Sequence, residues 1–467
     1  YWAIYNAQPD DNQQYRGNSQ CYVPAVRDCV NARAKRTVKQ LFPVAYKHVD
    51  AVGTDPETPF PQLALIEHYI RATRLKDVVR SDLIAGDVTG QWNLYLDWTR
   101  SYRRITELIK RNPILESVPG EDIGLHDPTR EEEATEETDL LTEGPEIVDF
   151  ATEDLAVVPP TVNDIEKAEV VALKLRMSKA KVQQMVDEGV FVLGEETNDR
   201  NTIADWVAAR GEADTRAAPK QRLHEAGIKT EGTLTYALIF EATAKLDFGD
   251  GHPRLAYIYY ASATEIIGII KAPQWGGKRP VLSASVDRLA GAFFGQSKIE
   301  PVKFLQWNLN DYWNMGQDSA MYSLLPIVMT DPLKNPNYAS MVIGLAAVWG
   351  TDPNSTKFAT FPALWKDAMM LCNSIKTQIW ESMDVNEMMM GKMPQGRKNN
   401  QQIGAVQASE MMNIMDHAER YEESMLNPLA ARLYEYDCQW RTKELTVLTR
   451  GEMGKRAELT QIPPQQF

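Results

Sequence analysis

The sequence predicts a protein of the α+β class, because helix-period and strand-period hydrophobic patterns occur in different stretches of the chain. The strongest helical pattern covers Ile299–Leu325, and a short apolar strand and a turn follow it at once. About 25 residues at a rise of about 1.5 Å each would form a rod of roughly 37 Å, which is long for a globular protein. Alternating apolar residues in Thr235–Phe248 and Arg254–Tyr260, joined by Asp250-Gly251, predict a β-hairpin.

The long predicted helix carries an apolar stripe between Pro301 at its start and Pro326 at its end. The stripe residues, spaced by three or four positions, are Val302, Leu305, Leu309, Tyr312, Gly316, Ala320 and Leu324. Phe304 and Trp307 lie outside the stripe, so a monomer would leave apolar surface exposed on this helix. A long helix followed by a strand and a turn is not the arrangement that a catalytic pocket requires.

The N-terminal part of the chain shows mainly helical periodicity. One apolar stripe predicts a helix over Val26–Leu41, and a second stripe follows over Leu63–Ile70. Phe42-Pro43 separates the two patterns. Residues Trp92–Trp98 alternate between apolar and polar, which predicts a strand whose tryptophans belong to the core.

An acidic segment lies between Glu131 and Asp154, where eleven of twenty-four residues are acidic and none is Lys or Arg. Clustered like charges resist packing, so this segment 131–154 is predicted to be a solvated surface loop. The alternative is a docking strip for a basic partner. The neighbouring sequence does not decide between them.

The middle of the chain has strand patterns on both sides of a short helix. A strand is predicted over Val170–Met177, and Ser178 is expected to cap a helix that ends at Gly189. After the hairpin, a further strand is predicted at Thr264–Ile270, and it leads into a basic turn at Lys271–Arg279.

Two helical regions are predicted near the C-terminus. The first covers Pro362–Met383, with Cys372 on its apolar stripe as a core residue. A Met-rich and then basic turn follows. The second helical region covers Ala405–Leu448 and is expected to kink or break at Pro428.

Composition narrows the class of protein further. A length of 467 residues predicts two or more domains, and 43% hydrophobic with 24% charged residues is typical of soluble proteins. The longest apolar stretch, Met341–Trp349, is too short to span a bilayer, and the opening residues show no signal peptide. The four cysteines lack C-x-x-C spacing, which argues against a zinc site and a disulfide framework.

Motifs for enzyme chemistry are missing from the sequence. It contains no G-x-x-x-x-G-K-[ST], no H-E-x-x-H and no G-x-S-x-G. Asp247, Asp250 and His252 form the most metal-like group, but a hairpin turn explains these residues without an ion. We therefore expect no catalytic residue, no cofactor, no metal site and no enzymatic activity.

Basic residues are the remaining candidates for binding. Two basic loops stand out in the acidic chain, and their residues are Lys271, Lys278 and Arg279 in one and Lys392, Arg397 and Lys398 in the other. Lys298 and Lys303 lie near the start of the long predicted helix. Solvated surface is the ordinary role of such residues, and phosphate contact is the functional alternative.

The order of these elements resembles the portal proteins of short-tailed bacteriophages. The segment G-x-S-x-I-x-P-x-x-x-L-Q-x-x-x-N, read here from Gly295, is followed by a polar helix face and P-I-V-M-T-D-P, as in the family's long helix and strand. Glu146–Gly189 is similar to the family's strand, Pro-rich turn, D-I-x-x-A, strand, R-M-S and short helix. With the start at Tyr15-Arg16-Gly17, the similarity extends to Trp440 in the family's order.

The resemblance implies a subunit of a portal-type ring with a mostly helical wing, a long stem helix, a small α/β clip and a helical crown region. The implied boundaries are 1–230 and 331–400 for the wing, 231–290 for the clip, 291–330 for the stem helix and following strand, and 401–467 for the crown-proximal region. The clip is the part that docks outside the capsid, so Lys271, Lys278 and Arg279 become candidates for partner docking.

A portal, or head-to-tail connector, is a ring at one capsid vertex through which DNA enters during genome packaging and leaves during ejection. The resemblance implies twelve copies in the virion, assembled in the host cytoplasm. The expected partners are the large terminase subunit, the major capsid protein, a tail adaptor and double-stranded DNA. No contact with a membrane is expected.

Charge is compatible with such a channel. Twelve subunits with a net charge of −14 each carry about −168 in total, and a wall of this sign would let DNA slide without sticking. Loops repeated around the axis could still touch phosphates through Lys298, Lys303, Lys392, Arg397 and Lys398. The alternatives are another structural virion protein of a tail or baseplate, and a metal-dependent nuclease with carboxylates in the acidic segment.

Overall fold

The structure, a computed structural model, describes residues 1–8, 17–43, 61–108, 134–193, 203, 206–207, 236–249, 251–262, 265–324, 328–335, 354–358, 364–385, 412–449, 458–462 and 464. These residues form both helices and sheets, so the predicted α+β class is confirmed.

Helices occupy α1 Trp2–Tyr5, α2 Ala25–Leu41, α3 Pro61–Ala72, α4 Leu75–Thr89, α5 Lys179–Asp187, α6 Lys303–Leu324, α7 Trp365–Ser382, α8 412–421 and α9 Asn427–Trp440. Short 3-10 turns lie at Thr152–Asp154, Ile165–Lys167 and Glu300–Val302.

Strands occupy β1 Gln91–Leu108, β2 Ala134–Asp149, β3 Leu155–Val158, β4 Val170–Ser178, β5 Tyr236–Leu246, β6 Arg254–Ser262, β7 Glu265–Lys271, β8 Val281–Ser285, β9 Val328–Thr330, β10 Thr356–Phe358, β11 Leu445–Thr449 and β12 Glu458–Ile462. They form a five-stranded sheet in the order β3-β4-β5-β6-β7, a three-stranded sheet β2-β1-β8, and the pairs β9-β10 and β11-β12.

The chain divides into two compact units. The first contains Tyr1–His48, Arg74–Tyr95 and Val148–Leu429, and the second contains Val49–Thr73, Leu96–Ile147 and Ala430–Phe467. Both units are therefore assembled from segments that are distant in sequence.

Helical periodicity predicted the main core of the first unit. The stripe of α2 that includes Val26 and Val30 is fully buried, and it belongs to one cluster with Leu309 of α6 and Cys372 and Ile379 of α7. The role of Cys372 as a plain core residue is confirmed. The same cluster joins three helices that are far apart in the chain, which fixes α6 and α7 against α2.

The hairpin, the short helix and the strands around them are also confirmed. β5 and β6 pair antiparallel from Phe240↔Tyr260 to Leu246↔Arg254. In the turn after β5, the Asp247 carboxylate accepts hydrogen bonds from the amides of Gly249 at 2.9 Å and Gly251 at 3.0 Å. This geometry supports the turn interpretation of the Asp247 region. Ser178 caps α5 by accepting from the Lys181 amide.

The five-stranded sheet extends beyond the boundaries expected for a clip. Its strands β3 and β4 lie well before residue 231, and β4 pairs with β5 over nine residue pairs from Val170↔Ala244 to Ser178↔Tyr236. At the other end, β8 pairs with β1 in a different sheet. The segment 231–290 is thus not a separate sheet, and the region 1–230 contains strands as well as helices.

The acidic segment was expected to be a loop, and this expectation is wrong for the described part of it. Residues Ala134–Asp149 form the strand β2. Several acidic side chains have partners that offset their charge: Glu143 accepts from the backbone of Thr442 and Lys443, and Asp154 pairs with Arg176 at 3.0 Å. Paired carboxylates can pack, whereas the sequence alone shows only their density.

The C-terminal region is less helical than predicted. A π-helical turn at Glu422–Leu426 lies directly before Pro428, so the helix continues through the proline with a local distortion. The helix ends at Trp440, and the chain then forms β11 and β12, which pair antiparallel. The prediction of a helix up to Leu448 is wrong because Arg441 turns inward and donates to the Ile462 carbonyl of β12 at 2.6 Å.

Arg279 has a structural role that its position in a basic turn did not reveal. Its side chain is fully buried and donates to the carbonyls of Ile165 and Ala168, both at 2.7 Å, and to the Thr243 hydroxyl at 3.0 Å. Arginine can satisfy several acceptors in one plane, which a lysine cannot do. The docking role expected for Arg279 is therefore wrong, because none of its surface is accessible.

We predict that Arg279→Lys lowers the free energy of unfolding by about 2–3 kcal/mol, because the ammonium leaves buried carbonyls without donors. Urea denaturation followed by circular dichroism measures the change. Lys278→Met, at the exposed neighbouring position, is the control and should stay within about 0.5 kcal/mol of the parent. Equal stability of Arg279→Lys and the parent would contradict the buried role.

Candidate functional site

The long helix α6 is the centre of the candidate site. It has 22 residues, follows the 3-10 turn Glu300–Val302, and precedes β9 by three residues. The predicted helix and following strand are thus confirmed, although the α-helix begins four residues after the predicted start and ends one residue before the predicted end. The apolar stripe is only partly the buried face, because Leu309 and Gly316 are buried while Leu324 is 80% exposed.

The best-buried row of α6 is polar. Gln306, Asn310, Asn314 and Asp318 repeat at intervals of four residues, which places them in a line along one side of a helix, and all four are buried. Their side chains face the segment 18–24 before α2 and the first turn of α2. We call this row the polar ladder.

The polar ladder satisfies backbone groups of that segment and of the first turn of α2. Asn314 accepts from the Cys21 amide at 2.8 Å, and Asn310 accepts from the Val23 amide at 3.0 Å. Gln306 accepts from the Val26 amide at 3.2 Å and donates to the Val23 carbonyl at 2.6 Å. Amide side chains suit this task because they both donate and accept.

Asp318 forms the end of the polar ladder. Its carboxylate accepts from the amides of Asn18 at 3.0 Å and Ser19 at 3.1 Å, and from the Ser19 hydroxyl. The buried carboxylate is therefore stabilised by three donors. The spacing of four could have revealed this row in the sequence, but its partner is 280 or more residues away.

An apolar surface lies on another side of α6. Phe304 is 61% exposed, and Met315 and Met321 are also exposed. On α7, Met370 and Leu371 are exposed, and Leu371 lines one groove together with Met315 of α6. Exposed apolar side chains on two adjacent helices form a surface that a monomer leaves in water.

The two lysines proposed for a channel are both engaged in ion pairs. The Lys298 ammonium lies 2.8 Å from Asp287 and 3.7 Å from Asp384, and the side chain is 16% exposed. Lys303 pairs with Glu300 at 2.7 Å and lies over the Phe304 ring. Their positive charges are compensated within the subunit, so the role of phosphate contact expected for them is not supported.

Of the remaining basic candidates, the structure describes Lys271 and Lys278. Lys271 and Lys278 are exposed, and the Lys271 ammonium lies 5.1 Å from the centre of the Phe248 ring. Lys392, Arg397 and Lys398 lie outside the described residues.

A buried network of charged and polar side chains connects α2, α4 and α8 in the first unit. Arg33 of α2 lies 3.5 Å from the Asp87 carboxylate of α4 and donates to Nδ1 of His417 in α8 at 3.1 Å. Nδ1 therefore accepts, and the neutral ring carries its proton on Nε2. Burial, together with the charges of Arg33, Arg420 and Lys298, lowers the pKa of His417 well below its usual range. His417 is one of six histidines in the sequence, and no local motif marks it as buried.

Asp82 of α4 forms a second buried polar site in this unit. One carboxylate oxygen accepts from the Asn93 amide at 2.8 Å, and the other lies 2.8 Å from the Tyr421 hydroxyl. Burial raises the pKa of Asp82 to about 8, although both hydrogen bonds oppose the shift. The side chain is thus largely protonated at neutral pH.

The described residues offer no arrangement for metal chemistry. Among them, no group of three or more His, Cys, Asp and Glu side chains could hold an ion. No helix of the described part is long and apolar enough to cross a membrane.

Comparison with known proteins adds no identification. No protein-family model matches the chain, and no curated protein is found to be similar to it.

We predict that Asp318→Ala exposes the backbone of Asn18 and Ser19 to solvent exchange. The loss of three hydrogen bonds to one carboxylate should cost about 1–3 kcal/mol and speed local amide exchange by tenfold or more. Hydrogen–deuterium exchange of a peptide covering residues 17–24 measures this. Met321→Ala, at an exposed position of the same helix, should leave that exchange unchanged. Equal protection in both variants would contradict the role of the ladder.

We predict that Asp82→Asn changes the pH dependence of stability. In the unfolded chain Asp82 ionises near pH 3.9, whereas in the folded protein it stays protonated up to about pH 8. Its contribution to stability is therefore full below about pH 4 and is lost as the pH rises toward 8, by up to about 1.4 kcal/mol per pH unit.

Asparagine does not titrate, so the stability of Asp82→Asn relative to the parent should increase between pH 5 and pH 8. Urea denaturation at pH 5, 6, 7 and 8 measures this difference. Asp77→Asn, on the exposed side of the same helix, is the matched control. A difference between Asp82→Asn and the parent that stays constant with pH would show that Asp82 is ionised in the folded protein.

Proposed function

We propose that this chain is the portal, or head-to-tail connector, of a short-tailed bacteriophage. The observation that carries the proposal is α6, a 22-residue helix that is followed after three residues by the strand β9. The resemblance expects this order for a stem helix that surrounds a channel. The α6 helix would then be part of the stem, and the surrounding helices and sheets would form the wing, the clip and the crown.

The surface of α6 and α7 supports assembly into a ring. Phe304, Met315 and Met321 on α6 and Met370 and Leu371 on α7 are exposed, and a neighbouring subunit could cover them. Gln306, Asn310 and Asn314 of α6 are already engaged with residues 21–26 of the same chain. An oligomer therefore gives a physical reason for apolar side chains that the fold of the single chain leaves in water.

In the proposed ring, double-stranded DNA passes along the axis during genome packaging and ejection at a capsid vertex. Energy for packaging comes from a separate terminase, because the sequence has no phosphate-binding loop. Lys392, Arg397 and Lys398 are the proposed phosphate contacts, since Lys298 and Lys303 are paired with carboxylates. Lys271 and Lys278 are proposed to contact the terminase or the tail adaptor, and the major capsid protein surrounds the ring.

We predict that the purified protein forms rings whose mass is a multiple of the 52.7 kDa chain. Sedimentation velocity at micromolar concentration measures the mass, and negative-stain images down the axis show the symmetry and the channel. The proposal also expects no ATP hydrolysis and no DNA cleavage with Mg²⁺ by the chain alone. A stable monomer without rings would contradict the proposal, and so would nuclease turnover that is lost when an acidic residue is changed.

A further inference from the structure

Leu333 is the most exposed of the large apolar side chains in the described part of the chain, at 93%. It lies in the turn 331–335 after β9, between Pro332 and Lys334, both of which are also exposed. A single exposed leucine is common on protein surfaces, so its exposure alone carries no function. Two further features indicate a binding role for Leu333. They are the hydrogen bonds that hold its turn and an apolar groove between α6 and α7.

The turn that carries Leu333 is held by a set of hydrogen bonds. The Leu333 amide donates to the Asp331 carboxylate at 3.0 Å, and the amides of Lys334 and Asn335 donate to the Asp331 carbonyl at 3.2 and 3.0 Å. The buried Asn335 side chain donates to hydroxyls of Thr330 and Ser355 at 2.6 and 2.8 Å. A side chain on such a fixed turn loses little conformational entropy when it is bound.

An apolar groove of about 460 Å³ lies between α6 and α7. Its apolar lining includes Tyr312, Met315, Leu364 and Leu371. The two helices meet closely at its floor, where a Cβ on Gly316 would be only 3.0 Å from the Cβ of Ala368. The groove is larger than one leucine side chain, so it can also accept an adjoining proline.

The groove and the turn carry charges of opposite sign. Asp367 of α7 lines the groove and is exposed, and it forms no ion pair within the described residues. Lys334 follows Leu333 directly, is exposed, and is likewise unpaired among those residues. A leucine that enters the groove would bring a lysine to its rim, where an aspartate is present.

We propose that Leu333 of one copy of this chain binds in the α6–α7 groove of a neighbouring copy, with Lys334 of the first copy beside Asp367 of the second. The inference rests on the proposed ring, because it identifies the contact between its subunits. The turn and the groove are different surfaces of one chain, so the contact is head-to-tail. Head-to-tail contacts generate rings when the rotation closes.

The first test changes Leu333 to Asp. The side chain is almost fully exposed in the subunit, so the variant should fold like the parent, as circular dichroism and thermal melting verify. It should raise the protein concentration needed for half-maximal ring assembly by tenfold or more, as measured by sedimentation. Leu289→Asp, at another exposed leucine, is the control and should assemble like the parent.

The second test reverses the charges at the rim. Lys334→Asp and Asp367→Lys should each weaken assembly, because each places like charges opposite one another. The double variant restores an opposite pair with the sign inverted, and its assembly should return to within about threefold of the parent. A surface effect unrelated to this contact would not be restored by the second change.

A third test detects the contact directly. Leu333→Cys combined with Leu371→Cys, in a background where the exposed Cys21 is changed to Ser, should form disulfides between subunits under mild oxidation. Leu289→Cys with Leu371→Cys is the control and should not.

Failure of the inference and failure of the ring are distinguishable. If the parent forms rings and Leu333→Asp and both single charge reversals assemble equally well, the contact is wrong while the ring stands. If the parent remains a monomer at all concentrations, both are wrong.

Discussion

The first unit depends on the polar ladder of α6. The segment 18–24 before α2 has no regular secondary structure and pairs with no strand in the described part of the chain, so its amides need other partners. Gln306, Asn310, Asn314 and Asp318 provide them from a single helix face. This contact brings α2 against α6, and the apolar side chains of both helices then pack in one cluster with α7. A hydrogen-bonding requirement thus determines which side of the long helix is buried.

Buried charges fix the remaining elements. Arg33 joins α2 to α4 and α8 through Asp87 and His417, and Arg279 holds the turn after β7 to the carbonyls around Ile165. Charges of this kind are costly unless their partners are well placed, so they tolerate few alternative arrangements. Such sites favour a single arrangement of the elements in this unit. They also explain why Arg279, which the sequence places in a basic turn, has a structural role in the fold.

The exposed surface of α6 and α7 has a different character. It exposes aromatic and methionine side chains next to a groove with an aspartate at its rim, while a braced turn elsewhere in the unit exposes a leucine and a lysine. Two complementary surfaces on one chain suit a head-to-tail assembly. In this interpretation, the polar ladder and the charge network serve to hold α6 and α7 in the geometry that a neighbouring subunit requires.

The sequence by itself determined the elements whose signals are local. The stripe of α2, the alternation around Trp92, the Ser178 cap, the β5–β6 hairpin and the long helix depend on neighbouring residues, and periodicity predicts them. Only the tertiary structure decided which charges are buried and which surfaces are left open. The carbonyls that Arg279 binds at Ile165 and Ala168, and the partners of Asp318 and His417, lie more than a hundred residues away. The chemistry of a side chain shows what it can bind. Whether it is buried, and which distant residue it contacts, depends on the packing of the whole chain.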